Sequence, residues 1–78
     1  MKASRLLKSY RARSGYTLAE LCDKLSRSRQ TYNKYELNPN SLPIDVFMEL
    51  IDVFELSDDD ITNFLHALKQ DNMSDEVE

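Results

Sequence analysis

Along almost the whole of this 78-residue chain the apolar residues recur three and four positions apart. Nowhere do they alternate over a strand-length stretch, and that period commits the chain to helices. Only one Gly and two Pro interrupt it, so each break is informative. The spacing predicts a first helix over about 4–13, with Leu6, Leu7 and Tyr10 inward. It stops at Gly15, where a left-handed C-cap favours a residue without a Cβ. Thr17 caps a second helix, and Glu20 three residues on completes a reciprocal capping box. Leu18, Leu21, Cys22 and Leu25 form that helix's apolar stripe.

After a break at Ser26 and Arg27, Ser28 caps a third helix from Arg29 to about Leu37, with Tyr32 and Tyr35 inward. Asn38-Pro39-Asn40-Ser41 is a turn cluster. Pro43 opens a fourth helix at its first position, where a missing N–H costs nothing. Phe47, Leu50, Ile51 and Phe54 are its stripe. Ser57 caps a fifth helix whose first turn, Asp58, Asp59 and Asp60, suits the positive end of the dipole. Ile61, Phe64, Leu65 and Leu68 form its apolar face. The fold class is therefore all-α, a five-helix bundle in one domain over residues 1–70. Residues 71–78 read as an acidic, disordered tail, nearly devoid of apolar side chains.

A chain this short buries only about 60% of its unfolded surface, too little for a substrate cleft with a catalytic shell. Cys22 is the one cysteine and His66 the one histidine. An internal disulfide and a structural zinc site of ordinary composition are thereby excluded. No apolar run reaches the roughly 18 residues that span a bilayer, and the N-terminus has no long signal-type stretch. A cytoplasmic setting is the expectation, with no membrane and no cofactor.

The net charge of −4 hides a marked asymmetry. Residues 1–36 carry nine Lys or Arg against three acids (+6), whereas residues 37–78 carry Lys69 alone against eleven acids (−10). Screening over roughly 8 to 10 Å lets a basic face attract phosphate despite an acidic far side.

The most informative stretch is LAELCDKLSRSRQTYNKYE, Leu18 to Glu36. Two short helices joined by a tight turn present the second helix to duplex DNA. On that helix Tyr32 and Tyr35 share one side, while Arg29, Gln30, Asn33 and Lys34 occupy the other. Arg forks onto guanine O6 and N7, and Gln or Asn pairs with adenine N6 and N7. Ser28 and Thr31 add hydroxyls, and the helix N-terminus adds N–H groups, for phosphate. The competing reading is a plain solvated face; the capped helix and short turn around it favour base reading.

The run LCDKLSRSRQTYNKYE resembles the Cro and phage-repressor type of helix-turn-helix, the XRE family, whose members commonly read close to LAEKLGVSRSTISKIE. The likeness runs without a gap from Leu6 to about Leu65. It implies a five-helix, lambda-repressor-like bundle and a sequence-specific transcription regulator, usually a repressor-type homodimer on a near-palindromic operator in double-stranded DNA. So small a member is typical of phage, prophage and bacterial switches. The resemblance places Arg29, Gln30, Thr31, Asn33 and Lys34 at base-facing positions. Ser28 falls on the cap that touches phosphate, and Thr17 and Arg27 are further phosphate candidates. Arg11 and Glu36 fall where the family often ties its first and third helices by an ion pair. The family's C-terminal helix often contributes to the dimer contact, which makes Phe64 and Leu68 the candidates. Three positions depart from the pattern. Ser26 replaces the turn glycine, where a positive φ is expected, and either costs about 1 kcal/mol or reshapes the turn. Arg27 replaces a core plug and must snorkel outward or bind phosphate. Leu18 replaces a glutamine that often touches phosphate, so that contact is absent.

Other residues read as structural: His66 has no partner set for catalysis or metal, Cys22 is an inert buried thiol, and the three aspartates are dipole partners rather than a cation site. The runner-up function is a protein-interaction module on the same fold, an antirepressor or antitoxin docking a partner protein through the acidic half. An enzyme comes third, for want of a nucleophile–base pair or phosphate loop.

Overall fold

The computed structural model describes the backbone of residues 2–77 and the side chains of residues 2–72. Five α-helices follow one another: α1 Lys2–Ser14, α2 Leu18–Leu25, α3 Arg29–Leu37, α4 Ile44–Val53 and α5 Asp58–Val77, with a 3₁₀ turn Pro39–Ser41 between α3 and α4. There is no strand among the described residues.

The stop signals work as backbone chemistry requires. Gly15 ends α1 at φ +80, and a Cβ there would meet nothing within 4 Å. The residue is needed for its dihedral alone. Two non-glycine residues adopt the same left-handed form, Ser26 after α2 (φ 54) and Glu55 after α4 (φ 52). Each closes a Schellman pattern: Arg27 N–H donates to Cys22 C=O at 3.1 Å and Leu56 N–H to Ile51 C=O at 3.0 Å. Pro43 sits one position earlier than the sequence suggests, as the N-cap of α4 with φ −65 and ψ 150.

The core joins Leu7 and Tyr10 of α1, Leu21, Cys22 and Leu25 of α2, Tyr32 of α3, Leu50 and Phe54, and Phe64 of α5. Ala3, Val46 and Ala67 complete it. The two alanines let α1 and α5 approach closely, and this is the most extensive helix pairing. That approach sets which face of α5 is buried: Phe64 and Ala67 point inward, and Leu65, expected on the apolar face, is 48% exposed. Phe64 is only 1% exposed and stacks on Phe47 with ring centroids 5.4 Å apart. As a dimer-contact candidate it is therefore corrected: a side chain with no free surface closes the monomer core. Leu68 keeps partial exposure.

Helix α5 continues past residue 70. Asp71, assigned by sequence to the tail, accepts hydrogen bonds from the Lys2 and Ala3 N–H groups at 3.1 and 3.2 Å. It thus caps α1, whose N-terminal N–H groups have no partner within their own helix. Asn72 accepts from the Asn40 amide at 2.8 Å. The ordered unit extends at least to residue 72.

Candidate nucleic-acid interface

The helix-turn-helix is assembled from three local devices. Thr17 Oγ1 accepts from Glu20 N–H at 3.1 Å, and Thr17 N–H donates to Glu20 Oε1 at 2.8 Å, a complete capping box that starts α2. These bonds hold the Glu20 carboxyl below the usual range, the backbone N–H of Thr17 contributing most. Ser26 turns the chain in the left-handed region. Ser28 Oγ then accepts from Thr31 N–H at 3.2 Å and starts α3.

Arg27 sits in the turn, half-buried. Its Nη1 donates to the Leu25 and Ser26 carbonyls at 3.4 and 3.3 Å, and Nη2 lies 3.6 Å from Asp45 Oδ2 on α4. The guanidinium thus satisfies carbonyls at the negative end of α2 and reaches across to α4. This geometry gives the outward-snorkelling guanidinium protein partners outside the core.

On α3 the division between faces is sharp. Tyr32 is wholly buried, and Tyr35 packs half-buried against the core. Arg29, Gln30, Asn33 and Lys34 are all exposed. Their spacing of three and four puts them on neighbouring turns of one surface. None of the four makes a side-chain hydrogen bond or ion pair among the described residues. Thr31 is half-buried, and its Oγ1 accepts from Ser28 Oγ at 2.9 Å, so this hydroxyl belongs partly to the cap. Thr17 and Ser28 are exposed at the starts of α2 and α3.

Beneath that face α3 is clasped at its far end by α1. Arg11 Nε and Nη2 donate to the two Glu36 carboxylate oxygens at 2.7 and 3.3 Å. Glu36 is only 4% exposed, so the fork-on-carboxylate geometry compensates a desolvated charge. Ser4 Oγ donates to the Glu36 backbone carbonyl. Sequence reasoning passed over Ser4, although it lies seven residues before Arg11 on the same side of α1. The Tyr32 hydroxyl, beside Glu36, makes no hydrogen bond of ordinary geometry. Burial, and then the Glu36 charge, push its pKa well above the usual phenol value. Burial likewise raises the Cys22 thiol, which disfavours its thiolate form.

Elsewhere the surface offers little chemistry. No group of three potential metal ligands exists among the described residues, and no described helix is long and apolar enough to cross a membrane. His66 lies on a shallow α1–α5 groove with Lys2 and Arg5. An apolar groove of about 180 Å³, lined by Pro39, Leu42, Ile44, Phe47, Leu65 and Leu68 among others, opens between the 3₁₀ turn, α4 and α5. Ile44 and Met48 remain largely exposed.

A family described as helix-turn-helix matches residues 7–61, most of the chain and all of α2 and α3. No match was found among curated proteins or solved structures.

Proposed function

This chain belongs to the helix-turn-helix family of the Cro and phage-repressor type, and we propose that it regulates transcription by laying α3 in the major groove of a specific DNA site. The observation that carries this reading is the exposed set Arg29, Gln30, Asn33 and Lys34, without side-chain partners among the described residues, on a helix fixed from behind by Tyr32 and Glu36. Side chains free of internal partners are available to base edges, and the anchored backbone limits the entropy lost in ordering them. Thr17 and Ser28, at two helix N-termini, are the proposed phosphate contacts. Thr31 is a lesser base contact, because its hydroxyl is shared with the cap.

The site is read as a homodimer. With Phe64 buried, the proposed pairing surface is Ile44, Leu65 and Leu68 at the apolar groove, together with the exposed Met48 one turn along α4 from Ile44. Paired copies would set their α3 helices about 34 Å apart, in successive major grooves on one side of the duplex. Occupancy then blocks polymerase, as a repressor does, or assists it, and neither needs catalysis or a cofactor. The same exposed strip, with the −10 charge of residues 37–78, supports the second reading, an antirepressor or antitoxin that covers a partner protein.

A mobility-shift assay with genomic fragments separates the two. Retention of a discrete set of fragments that random competitor does not displace supports the regulator. No retention at low salt, together with a stoichiometric co-purifying protein, supports the interaction module.

A further inference from the structure

We infer that Asp71 is a positioning residue for the recognition helix, acting from α5 through the first turn of α1. Three consecutive residues of that turn join two other helices. The Lys2 and Ala3 N–H groups bind the Asp71 carboxylate, and the next side chain, Ser4, holds the carbonyl of Glu36 near the end of α3. Lys2 Nζ adds a 2.7 Å bond to Gln70 Oε1. A shift of this turn therefore moves the donor on which the exit of α3 rests.

The same stretch of α5 reaches that exit by a second route. Asn72 binds Asn40 in the 3₁₀ turn, whose preceding residue, Asn38, closes α3 by donating to Lys34 C=O at 2.8 Å. Residues 70–72 thus reach the end of α3 by two hydrogen-bonded routes. Lys34, which accepts the closing bond through its carbonyl, carries one of the proposed base-facing side chains. This places the far part of α5, outside the matched residues 7–61, in the machinery that aims α3.

The inference rests on the DNA-reading function proposed above, so its test needs one readout that is independent of DNA. In the intact chain, amide hydrogen exchange is followed at Asn38 and at Leu21, whose N–H donates to Thr17 C=O at 3.0 Å at the start of α2. Replacing Asp71 by Ala should speed exchange at Asn38 by about 2- to 30-fold, the factor for loss of a cap, and leave Leu21 unchanged. Asp71→Asn, which keeps an acceptor oxygen, should lie between, and it carries the test if the alanine variant fails to fold. Lys69→Ala, an exposed neighbour, should move neither amide. Affinity for the preferred duplex should fall with the Asn38 effect while helicity is retained. Equal acceleration at both amides would mean global destabilisation and overturn the inference, as would an unmoved Asn38. A wild-type chain that binds no duplex would sink the functional reading, while the exchange pattern would still decide the role of Asp71.

Discussion

Removing Arg11 should harm this protein more than neutralising its partner Glu36, although the two side chains make the same bonds. The reason is their unequal exposure: the Arg11 side chain is 30% exposed and that of Glu36 only 6%. Arg11→Ala strands a carboxylate with almost no access to water, and breaking a buried pair in that direction costs about 3 to 5 kcal/mol. Partial solvent access at the Arg11 end puts the lower limit, about 3 kcal/mol, nearer the mark. Glu36→Gln leaves a guanidinium that water can reach and an amide that can still accept one bond, so its cost is about 1 kcal/mol. A chain of this length has roughly 4 to 12 kcal/mol of stability in all, so the first change consumes a large share. At about 4 to 8 °C per kcal/mol, Arg11→Ala should lower Tm by about 12 to 24 °C and Glu36→Gln by about 4 to 8 °C. Far-UV circular dichroism melts of both variants measure this directly. Equal shifts, or the larger shift for Glu36→Gln, would refute the argument that desolvation of the carboxylate dominates.

Three other outcomes follow from local chemistry. Tyr32→Phe removes a buried hydroxyl with no ordinary partner and should leave Tm unchanged or raise it, by up to about 1 kcal/mol of stability; a loss above about 2 kcal/mol in chemical denaturation would mean the hydroxyl is satisfied. Ser26→Gly relieves the positive φ after α2 and should stabilise by about 0.5 to 1 kcal/mol, whereas any destabilisation in the same melts would show that serine is unstrained there. The carboxyls of Glu20 and Asp60 are held below their ordinary range, Asp60 chiefly by a hydrogen bond from Arg13. Lowered native values mean stability that is full above the ordinary pKa values, 4.5 and 3.8, and lost as pH falls through the lower native ones. Tm should therefore drop on acidification below about pH 4, and the acid limb should flatten in Asp60→Asn; an unaltered limb would remove Asp60 from the account.

The parts of this molecule that were legible in sequence are those fixed within a few residues. The bounds of α3, the capping box at Thr17 and Glu20, and the positive φ at Gly15 all depend on neighbours one to four positions away. The exposed face of α3 was legible for the same reason at Gln30, Asn33 and Lys34, which lie about 100° or more round the helix from a buried tyrosine at position 32. What long-range packing decides was not legible. On α5 the helical period allows either a 61/64/65/68 face or a 60/64/67/71 face. Close approach of α1 at Ala3 and Ala67 selects the second, turning Leu65 out and Ala67 in, with Phe64 common to both. Asp71 and Lys2 lie 69 positions apart, and no local pattern links a tail carboxylate to the start of the first helix. Arg27 left two roles open because nothing in its own segment shows Asp45 across the turn.

The central claim is that the polar face of α3 reads bases. Genome-wide pull-down of fragments bound by the intact chain yields a preferred duplex, and titration then compares it with random DNA for wild type, Arg29→Ala and Gln30→Ala. Each variant should lose about 1 to 3 kcal/mol, roughly 5- to 150-fold, on the preferred duplex alone, with Tm unchanged. Equal loss on both duplexes, or no loss on either, would contradict that claim.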